Sequence, residues 1–154
     1  AMAGAIATGG TRYTPRLVLR AGIGDSVRAT EGAVRRRFRF SETTLAALRE
    51  GLERVVREGT GRAAAVPGIR VAGKTGSSET GRGLTHAWFC GYAPADAPRI
   101  AFAVVIEASG HGGTVAAPVA RRLIAKALGV NMNVPSPQRG DRRSAVAEGQ
   151  GEGD

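Results

Sequence analysis

The sequence contains few of the residues that most often build a redox or metal site. Its 154 residues include one cysteine, Cys90, and two histidines, His86 and His111. A single cysteine excludes an internal disulfide and any cysteine-based metal cluster. The two histidines are far apart in the sequence and lack the short spacing of paired metal ligands. We therefore predict that the chain holds no metal ion and needs no cofactor.

Aromatic residues and long apolar runs are also scarce. Aromatics make up 5% of the residues, whereas 42% are hydrophobic, so the core should consist mainly of Ala, Val, Leu and Ile. No apolar run reaches the roughly 18 residues that a membrane helix needs, and no signal peptide is visible. The length suits one domain with a real core. The opening Ala1-Met2 lies within an apolar segment, which we interpret as a cut edge rather than a natural start.

Lysine is the third scarce residue, although the chain is strongly basic. Only Lys74 and Lys126 among the 22 basic residues are lysines, and the formal net charge is +9. Such a charge can indicate nucleic-acid binding. The arginines are scattered, however, with their densest cluster at 35–39, and the sequence contains no signature of a nucleic-acid-binding module. We interpret the charge as a solvated surface and expect no nucleic-acid partner.

The clearest helix in the sequence spans residues 41–59. Ser41 is a good N-cap, Gly59 supplies a stop, and five apolar residues follow helical spacing: Leu45, Leu48, Leu52, Val55 and Val56. Two i,i+4 ion pairs are expected on the solvent-exposed face of this helix, Glu50–Arg54 and Glu53–Arg57. Gly51 costs about 1 kcal/mol relative to alanine in a helix interior, so a close packing contact is expected there.

Three strands are predicted downstream of this helix, over residues 69–75, 86–92 and 100–107. Their connections are too short for a crossover helix, which predicts an antiparallel meander. The third strand is the most apolar, so we expect it to be the most buried. A second long helix follows at 114–128.

The upstream and downstream segments complete the predicted architecture. Residues 1–8 are predicted to be the end of a small-residue helix, 11–19 an extended segment and 34–40 a short basic strand. The fold class is therefore α+β, an antiparallel sheet flanked by helices. Residues 1–130 form the folded portion. The segment 131–154 has little to bury and is predicted to be a disordered tail.

The segment 73–78, Gly-Lys-Thr-Gly-Ser-Ser, concentrates one ammonium and three hydroxyl groups at a predicted strand end. Its two glycines allow another backbone to approach closely, so an extended peptide could add to this strand. An ammonium and hydroxyls together suit a carboxylate, and a backbone N–H there could face an oxyanion. The alternative is an exposed polar hairpin, because a three-residue motif by itself is weak.

The order of several segments makes the interpretation more specific. AGKTGSSE, HAWFCGYAP, IAFAVVIE, a Gly-Gly turn and AAPVARRLI follow one another in a way that resembles the C-terminal part of the penicillin-binding transpeptidase domain. This fold is shared with the serine β-lactamases, and S-x-x-K, S-x-N and K-T-G are its signature motifs. Upstream, AIATGGTRYTPRLV is similar too, with Thr8 where the family usually has Asn. The resemblance covers residues 3–129 and is greatest to the class B enzymes of the cell-elongation type.

This resemblance implies roles for four residues. Lys74 would aid proton transfer and attract the C-terminal carboxylate of the substrate. Thr75 and Ser77 would bind that carboxylate, Gly76 completes the K-T-G motif, and the Ser77 N–H would be one of two oxyanion-hole donors. The substrate would be a peptidoglycan stem peptide ending in D-Ala-D-Ala, which β-lactams mimic, and the chemistry would be acyl transfer through a serine ester.

The sequence departs from the family pattern at the nucleophile. The residues three positions before the two lysines are Val71 and Leu123, so no S-x-x-K motif is present. No serine lies two positions before Asn131 or Asn133, so S-x-N is missing too. We expect the nucleophile to lie upstream of Ala1, in a part of the domain that pairs with this one. The chain would then be a fragment carrying the KTG half of the site, inactive by itself, and its third strand would expose an apolar edge.

Two alternatives remain open beside the transpeptidase hypothesis. One is a non-catalytic module on the same half-fold that binds a cell-wall peptide or a partner chain. The other is a piece of a serine β-lactamase-like enzyme. The family resemblance also implies a location at the outer face of the bacterial inner membrane, with a cell-elongation glycosyltransferase and scaffold proteins as partners.

Residues around the motif receive structural interpretations. Of Trp88 and Phe89, we expect one in the core and the other packed under a helix. His86 is expected to form a structural hydrogen bond rather than act as an acid or base. Cys90 is predicted to be a buried small hydrophobe. Two residues are interpreted as loop residues at the rim of the site, Ser78 and Glu79.

Overall fold

The computed structural model describes residues 1–79, 81 and 84–132, and almost all of the predicted tail 131–154 lies outside them. The helices are α1 Met2–Ala7, α2 Glu42–Arg57, a short 3-10 helix Arg62–Ala64 and α3 Ala116–Leu128. The strands are β1 Thr11–Tyr13, β2 Arg20–Ala21, β3 Arg28–Ala29, β4 Val34–Arg37, β5 Ala72–Glu79, β6 Thr85–Ala93 and β7 Ile100–Ile106.

The main sheet is the antiparallel meander predicted from the short connections. Its strand order is β5-β6-β7, with Lys74 opposite Cys90 and Thr75 opposite Phe89 in the first ladder. Cys90 is in turn opposite Ala103 of β7. Helices flank this sheet, so the predicted α+β class is confirmed.

Two apolar clusters hold the helices against the sheet. The larger contains Phe89 of β6 and Val104 of β7, packed against four small or branched residues of α3: Ala116, Ala117, Ala120 and Ile124. Alanines on α3 let the helix approach the sheet closely, and the fully buried Phe89 ring fills the space between. The smaller cluster contains Tyr92 with Ile6 of α1 and Ala72 of β5.

The prediction that the third strand is the most buried is wrong. Only Val104 of β7 is buried, whereas β6 contributes four fully buried residues: Ala87, Phe89, Tyr92 and Ala93. Among the described strands, β7 pairs with β6 alone, so its outer edge is unpaired, in agreement with the prediction that the third strand exposes an apolar edge. The position of a strand in the sheet therefore decides its burial more than its apolar content does. Of these three strands, only the middle strand β6 has a neighbouring strand along both edges.

The strand that carries the Lys-Thr-Gly segment is longer than predicted. It was expected to end at Thr75, but β5 continues to Glu79, which pairs with Thr85 of β6. Ser78 and Glu79 are therefore strand residues, and their interpretation as loop residues is wrong. The ladder continues because pairing with β6 satisfies the backbone groups even where the side chains are polar and exposed.

The long helix α2 begins as its sequence indicates, but its ion pairs differ from the prediction. The Ser41 hydroxyl accepts a hydrogen bond from the Thr44 N–H at 3.1 Å. The predicted i,i+4 pairs are replaced by four others: Arg57–Glu50, Arg57–Glu58, Arg54–Glu58 and Arg70–Glu53. The Glu53 side chain is only 12% exposed and binds Arg70 at 2.6 Å, since it faces the segment that leads into β5. This pair ties α2 to the strand that carries the Lys-Thr-Gly segment.

The upstream strands form two small antiparallel sheets, β1 with β4 and β2 with β3. Only Thr11–Tyr13 of the predicted extended segment is a strand, while the predicted basic strand is present as Val34–Arg37. The segment between β1 and β4, which contains the β2–β3 pair, exposes large apolar side chains, including Leu17 and Ile23. In the described part of the chain, none of the helices is long and apolar enough to cross a membrane.

Gly51 lies on the exposed side of α2, and the close contact expected there is absent. A Cβ built at this glycine would meet nothing within 4 Å. We expect Gly51→Ala to raise the free energy of unfolding by about 1 kcal/mol, because alanine loses less backbone entropy in a helix. Denaturant unfolding of the full chain measures this. Gly73→Ala is the contrasting variant, since its Cβ would lie 2.5 Å from the Phe89 ring and should destabilise the fold. Equal effects of the two substitutions would contradict this account.

Tyr92 is fully buried in the smaller cluster, and its hydroxyl has no hydrogen-bond partner among the described residues. Burial raises the pKa of Tyr92 above the ordinary tyrosine value, because the charged phenolate is disfavoured away from water. The folded state thus holds this proton more tightly than the unfolded state. The contribution to stability is present below about pH 10 and is lost as the pH rises through the raised value.

We expect Tyr92→Phe to keep or raise stability at neutral pH, by up to about 1 kcal/mol, since it removes an unpaired buried hydroxyl. Above about pH 10 the variant should lose less stability than the unmodified chain, because the unfolded state no longer gains from ionising this side chain. Urea unfolding at neutral and alkaline pH measures both effects. Tyr13→Phe, at a side chain that is 50% exposed, is the matched control. A clear destabilisation by Tyr92→Phe at neutral pH would reveal a partner for the hydroxyl.

Candidate active-site groove

An open groove of about 680 Å³ runs along the outer edge of β5. Its lining comprises Thr60, Arg62, Ala63, Lys74, Thr75, Gly76, Ser77, His111, Gly112, Gly113 and Thr114. The four residues singled out from the sequence, Lys74 to Ser77, therefore lie together on one wall. The other walls come from the loop after α2, from the 3-10 helix and from the loop before α3.

The free edge of β5 explains why a strand can form the wall of a groove. Among the described strands, β5 pairs only with β6, so its other edge is open to a ligand. Side chains alternate along a strand, so Thr75 and Ser77 share one face, while the Lys74 side chain starts from the other face and lines the same groove at the open strand edge. Thr75 is half-buried, whereas Lys74 and Ser77 are exposed. The Lys74 ammonium donates to the Thr75 carbonyl oxygen at 2.7 Å, so it stays close to the strand.

Thr60 contributes a hydroxyl group that the sequence interpretation did not assign to the site. The Thr60 and Thr75 Oγ1 atoms are 2.7 Å apart and share a hydrogen bond. Thr60 follows the end of α2, where the Gly61 N–H donates to the Val55 carbonyl oxygen at 2.9 Å and turns the chain toward β5. No sequence motif marks Thr60, because its role depends on where the turn places it.

The loop before α3 lies directly on β5, and two glycines make this possible. A Cβ at Gly112 would lie 2.1 Å from the Trp88 carbonyl oxygen and 2.6 Å from that of Gly76. A Cβ at Gly113 would lie 2.4 Å from the Thr60 carbonyl oxygen. These contacts are with backbone atoms that cannot swing aside, so neither position can carry a side chain without displacement. The sequence pattern indicates only a turn at this Gly-Gly pair, although paired glycines also allow two backbone segments to approach closely.

The groove is electrostatically suited to an anion. Its described lining includes two cations, Lys74 and Arg62, together with His111, and no Asp or Glu. Four hydroxyl side chains also line it, those of Thr60, Thr75, Ser77 and Thr114. The Thr114 hydroxyl donates to the His111 carbonyl oxygen at 3.1 Å, so the other three are the ones that can donate to a ligand. Arg62 was not singled out from the sequence, since arginines are scattered along the chain. A carboxylate would find both opposite charge and donors here.

Neighbouring residues of β6 support the groove from behind. One member of the aromatic pair lies in the core, as expected, and it is Phe89; the other, Trp88, does not lie under a helix. Trp88 is 40% exposed and donates from Nε1 to the Ser78 hydroxyl at 2.9 Å, linking β6 to β5. His86 accepts a hydrogen bond from the Ala108 N–H at 3.1 Å through Nδ1, in agreement with a structural role. Cys90 is half-buried rather than buried, because it lies on the face of β6 opposite Phe89.

Gly112→Ala tests the packing of this loop on β5. We expect a loss of about 1 to 3 kcal/mol in the free energy of unfolding, because the new methyl group overlaps two carbonyl oxygens. Thermal or urea unfolding measures the loss. Gly32→Ala is the matched control, since its Cβ would meet only the Arg16 guanidinium at 3.9 Å. Unchanged stability of the Gly112 variant would show that the loop does not rest on β5.

The fold and the groove together define a class of protein. A helix-flanked antiparallel sheet whose edge strand carries Lys-Thr-Gly is the arrangement expected for the serine acyl-transfer fold to which the sequence is similar. The family model "Penicillin binding protein transpeptidase domain" matches residues 1–125. The chain belongs to this family.

Known relatives agree with this assignment. Peptidoglycan D,D-transpeptidase PbpA of Mycobacterium tuberculosis is 35% identical over 140 residues, covering 82% of this chain and 28% of that protein. Stage V sporulation protein D of Bacillus subtilis is 36% identical over 137 residues, covering 80% of this chain and 21% of that protein. The chain therefore spans between a fifth and a third of the length of these relatives.

Solved structures show the same fold. The imipenem acyl-enzyme complex of penicillin-binding protein A from M. tuberculosis superimposes with a TM-score of 0.70 at 34% identity, covering 82% of this chain and 29% of that chain. That relative forms a covalent complex with a β-lactam. The predicted family resemblance and the predicted transpeptidase fold are thereby confirmed, and the segment involved is one part of the relatives' domain.

Proposed function

We propose that this chain provides the KTG half of the active site of a peptidoglycan D,D-transpeptidase that β-lactams acylate. The observation that supports this most is the position of Lys74, Thr75, Gly76 and Ser77 along the wall of a cationic groove in a member of this family. The activity named for the M. tuberculosis relative agrees with it.

Substrate binding follows from the open edge of β5. A stem peptide ending in D-Ala-D-Ala would lie against this edge as an added strand, held by backbone hydrogen bonds. Its terminal carboxylate would meet the Thr75 and Ser77 hydroxyls and the Lys74 ammonium. The Ser77 N–H would face the carbonyl oxygen that becomes negatively charged during acyl transfer.

The chemical step needs a nucleophile that these 154 residues do not contain, because neither lysine follows a serine at the S-x-x-K spacing. A serine from a complementary part of the domain would attack the carbonyl carbon of the penultimate D-Ala. An ester forms while the amide bond to the terminal D-Ala breaks, and an amine of a second stem peptide then takes the acyl group. Lys74 would assist by moving protons at the reacting atoms.

Location and partners follow from the substrate. Peptidoglycan lies outside the cytoplasmic membrane, so the domain would act on the extracytoplasmic face of the inner membrane. A complementary part of the transpeptidase domain would be its first partner. A cell-elongation glycosyltransferase, which makes the glycan strands that this reaction links, and scaffold proteins of the same machinery would be further partners.

The missing nucleophile favours one second candidate. The chain could act as a non-catalytic module that binds cell-wall peptides through the same groove, since binding a carboxylate needs only the residues that line it. This candidate shares the carboxylate site with the first but predicts no acylation under any condition.

Fluorescent penicillin separates the two candidates. We expect no covalent label on the 154-residue chain alone, because no S-x-x-K serine is present. We expect labelling of a chimera in which residues 1–132 replace the matching segment of M. tuberculosis PbpA. Lys74→Ala in that chimera should lower the acylation rate by about 100-fold, the lower range for a positioned proton-transfer group. Lys126→Ala, at the other lysine, is the matched control because it lies exposed near the end of α3.

The outcomes are distinct for each hypothesis. Labelling of a serine within the chain alone would contradict the assignment of the nucleophile to another segment. A folded chimera that binds acetyl-D-Ala-D-Ala but is never acylated would favour the non-catalytic module. Equal loss from the Lys74 and Lys126 variants would remove Lys74 from the chemistry.

A further inference from the structure

The hydroxyl of Thr60 shares a hydrogen bond with a hydroxyl of the Lys-Thr-Gly wall, that of Thr75. Thr60 Oγ1 and Thr75 Oγ1 are 2.7 Å apart, a normal O–H···O distance. Thr60 comes from the loop after α2, so this bond joins two segments that are 15 positions apart in the sequence. Thr75 is half-buried and lines the groove, so its hydroxyl can contact both Thr60 and a ligand.

The direction of this hydrogen bond decides what Thr75 can do. A hydroxyl group has one hydrogen to donate and two lone pairs to accept with. If Thr75 donates to Thr60, its hydrogen is used within the protein. If Thr60 donates instead, Thr75 keeps its hydrogen for a ligand. An anionic ligand can only accept, so its presence selects the second arrangement and aligns both hydroxyls in one chain of donors.

The position of Thr60 is fixed by its backbone. The carbonyl oxygen of Thr60 lies where a Cβ on Gly113 would be only 2.4 Å away, so the loop before α3 closes against it. On the other side, the neighbouring Gly61 N–H donates to Val55 of α2 at 2.9 Å. The Thr60 side chain is exposed, but its backbone is held between these two segments. Its hydroxyl can therefore bond to Thr75 with little further loss of conformational entropy.

We propose that Thr60 is a positioning residue that donates its hydroxyl proton to Thr75 and so directs the Thr75 O–H at the ligand's carboxylate. This inference rests on the proposed function of the groove. Thr60 would thereby set the preference for a free C-terminal carboxylate over a neutral end group. It would not touch the reacting carbonyl and would not move a proton in the chemical step.

The experiment uses the full 154-residue chain and the pair acetyl-D-Ala-D-Ala and its C-terminal amide. Amide resonances of residues 74–77 report binding in NMR titrations. We expect the chain to prefer the acid, and Thr60→Val to reduce that preference about fivefold, the effect of one hydrogen bond. Thr60→Ser keeps the hydroxyl and should restore the preference. Thr14→Val, at an exposed threonine that does not line the groove, is the matched control.

A second measurement uses the PbpA chimera with penicillin G and its methyl ester. Thr60→Val should lower the rate of acylation by the free acid about fivefold and leave the rate with the ester nearly unchanged. Only the free acid has a carboxylate that accepts a charge-assisted hydrogen bond from the Thr75 hydroxyl. A merely structural role for Thr60 would lower both rates together.

The results separate this inference from the proposed function. If the unmodified chain prefers the acid and Thr60→Val keeps that preference, the role of Thr60 is wrong and the groove assignment stands. If Thr60→Val lowers binding of acid and amide equally, Thr60 acts only on the fold and the inference is wrong. If neither the unmodified chain prefers the acid nor the unmodified chimera reacts with penicillin, both the inference and the proposed function are wrong.

Discussion

The close approach of backbone segments around β5 is the constraint on which the groove depends. Gly112 rests on the carbonyl oxygens of Gly76 and Trp88, and Gly113 rests on that of Thr60. Within the sheet, a Cβ at Gly91 would lie 2.1 Å from the Ala72 carbonyl oxygen. Because no side chain separates these segments, two loops from distant parts of the sequence reach the edge strand. Larger residues at these glycines would move the loops outward and take the Thr60 hydroxyl away from Thr75.

Packing behind the sheet keeps this edge in place. Alanines on α3 and the buried ring of Phe89 fix β6, and β6 holds β5 through a ladder that runs from Ala72 to Glu79. The pair between Glu53 and Arg70 attaches α2 to the segment before β5. The loop that follows α2 then arrives beside Thr75. The candidate site is thus a consequence of helix and strand positions, with the polar residues added at the points where those elements meet.

The sequence predicted much of this arrangement, for identifiable reasons. Short connections forced an antiparallel meander, and helical spacing from Leu45 to Val56 marked α2. Errors arose where tertiary position decided the outcome. The most apolar strand, β7, lies at an edge, and Gly51 faces solvent instead of a neighbour. The ion pairs of α2 formed where Glu53 could reach another segment, which local spacing cannot show.

The sequence by itself determined the family, the α+β class and four candidate site residues, since Lys74 to Ser77 are contiguous and their order can be read directly. It also determined that these 154 residues contain no S-x-x-K serine. Only the tertiary structure decided that Thr60, Arg62 and the Gly112–Gly113 pair line the same groove. Residues that are distant in the sequence become neighbours only when helices and strands pack, and no local pattern encodes the distance between two hydroxyls on different segments.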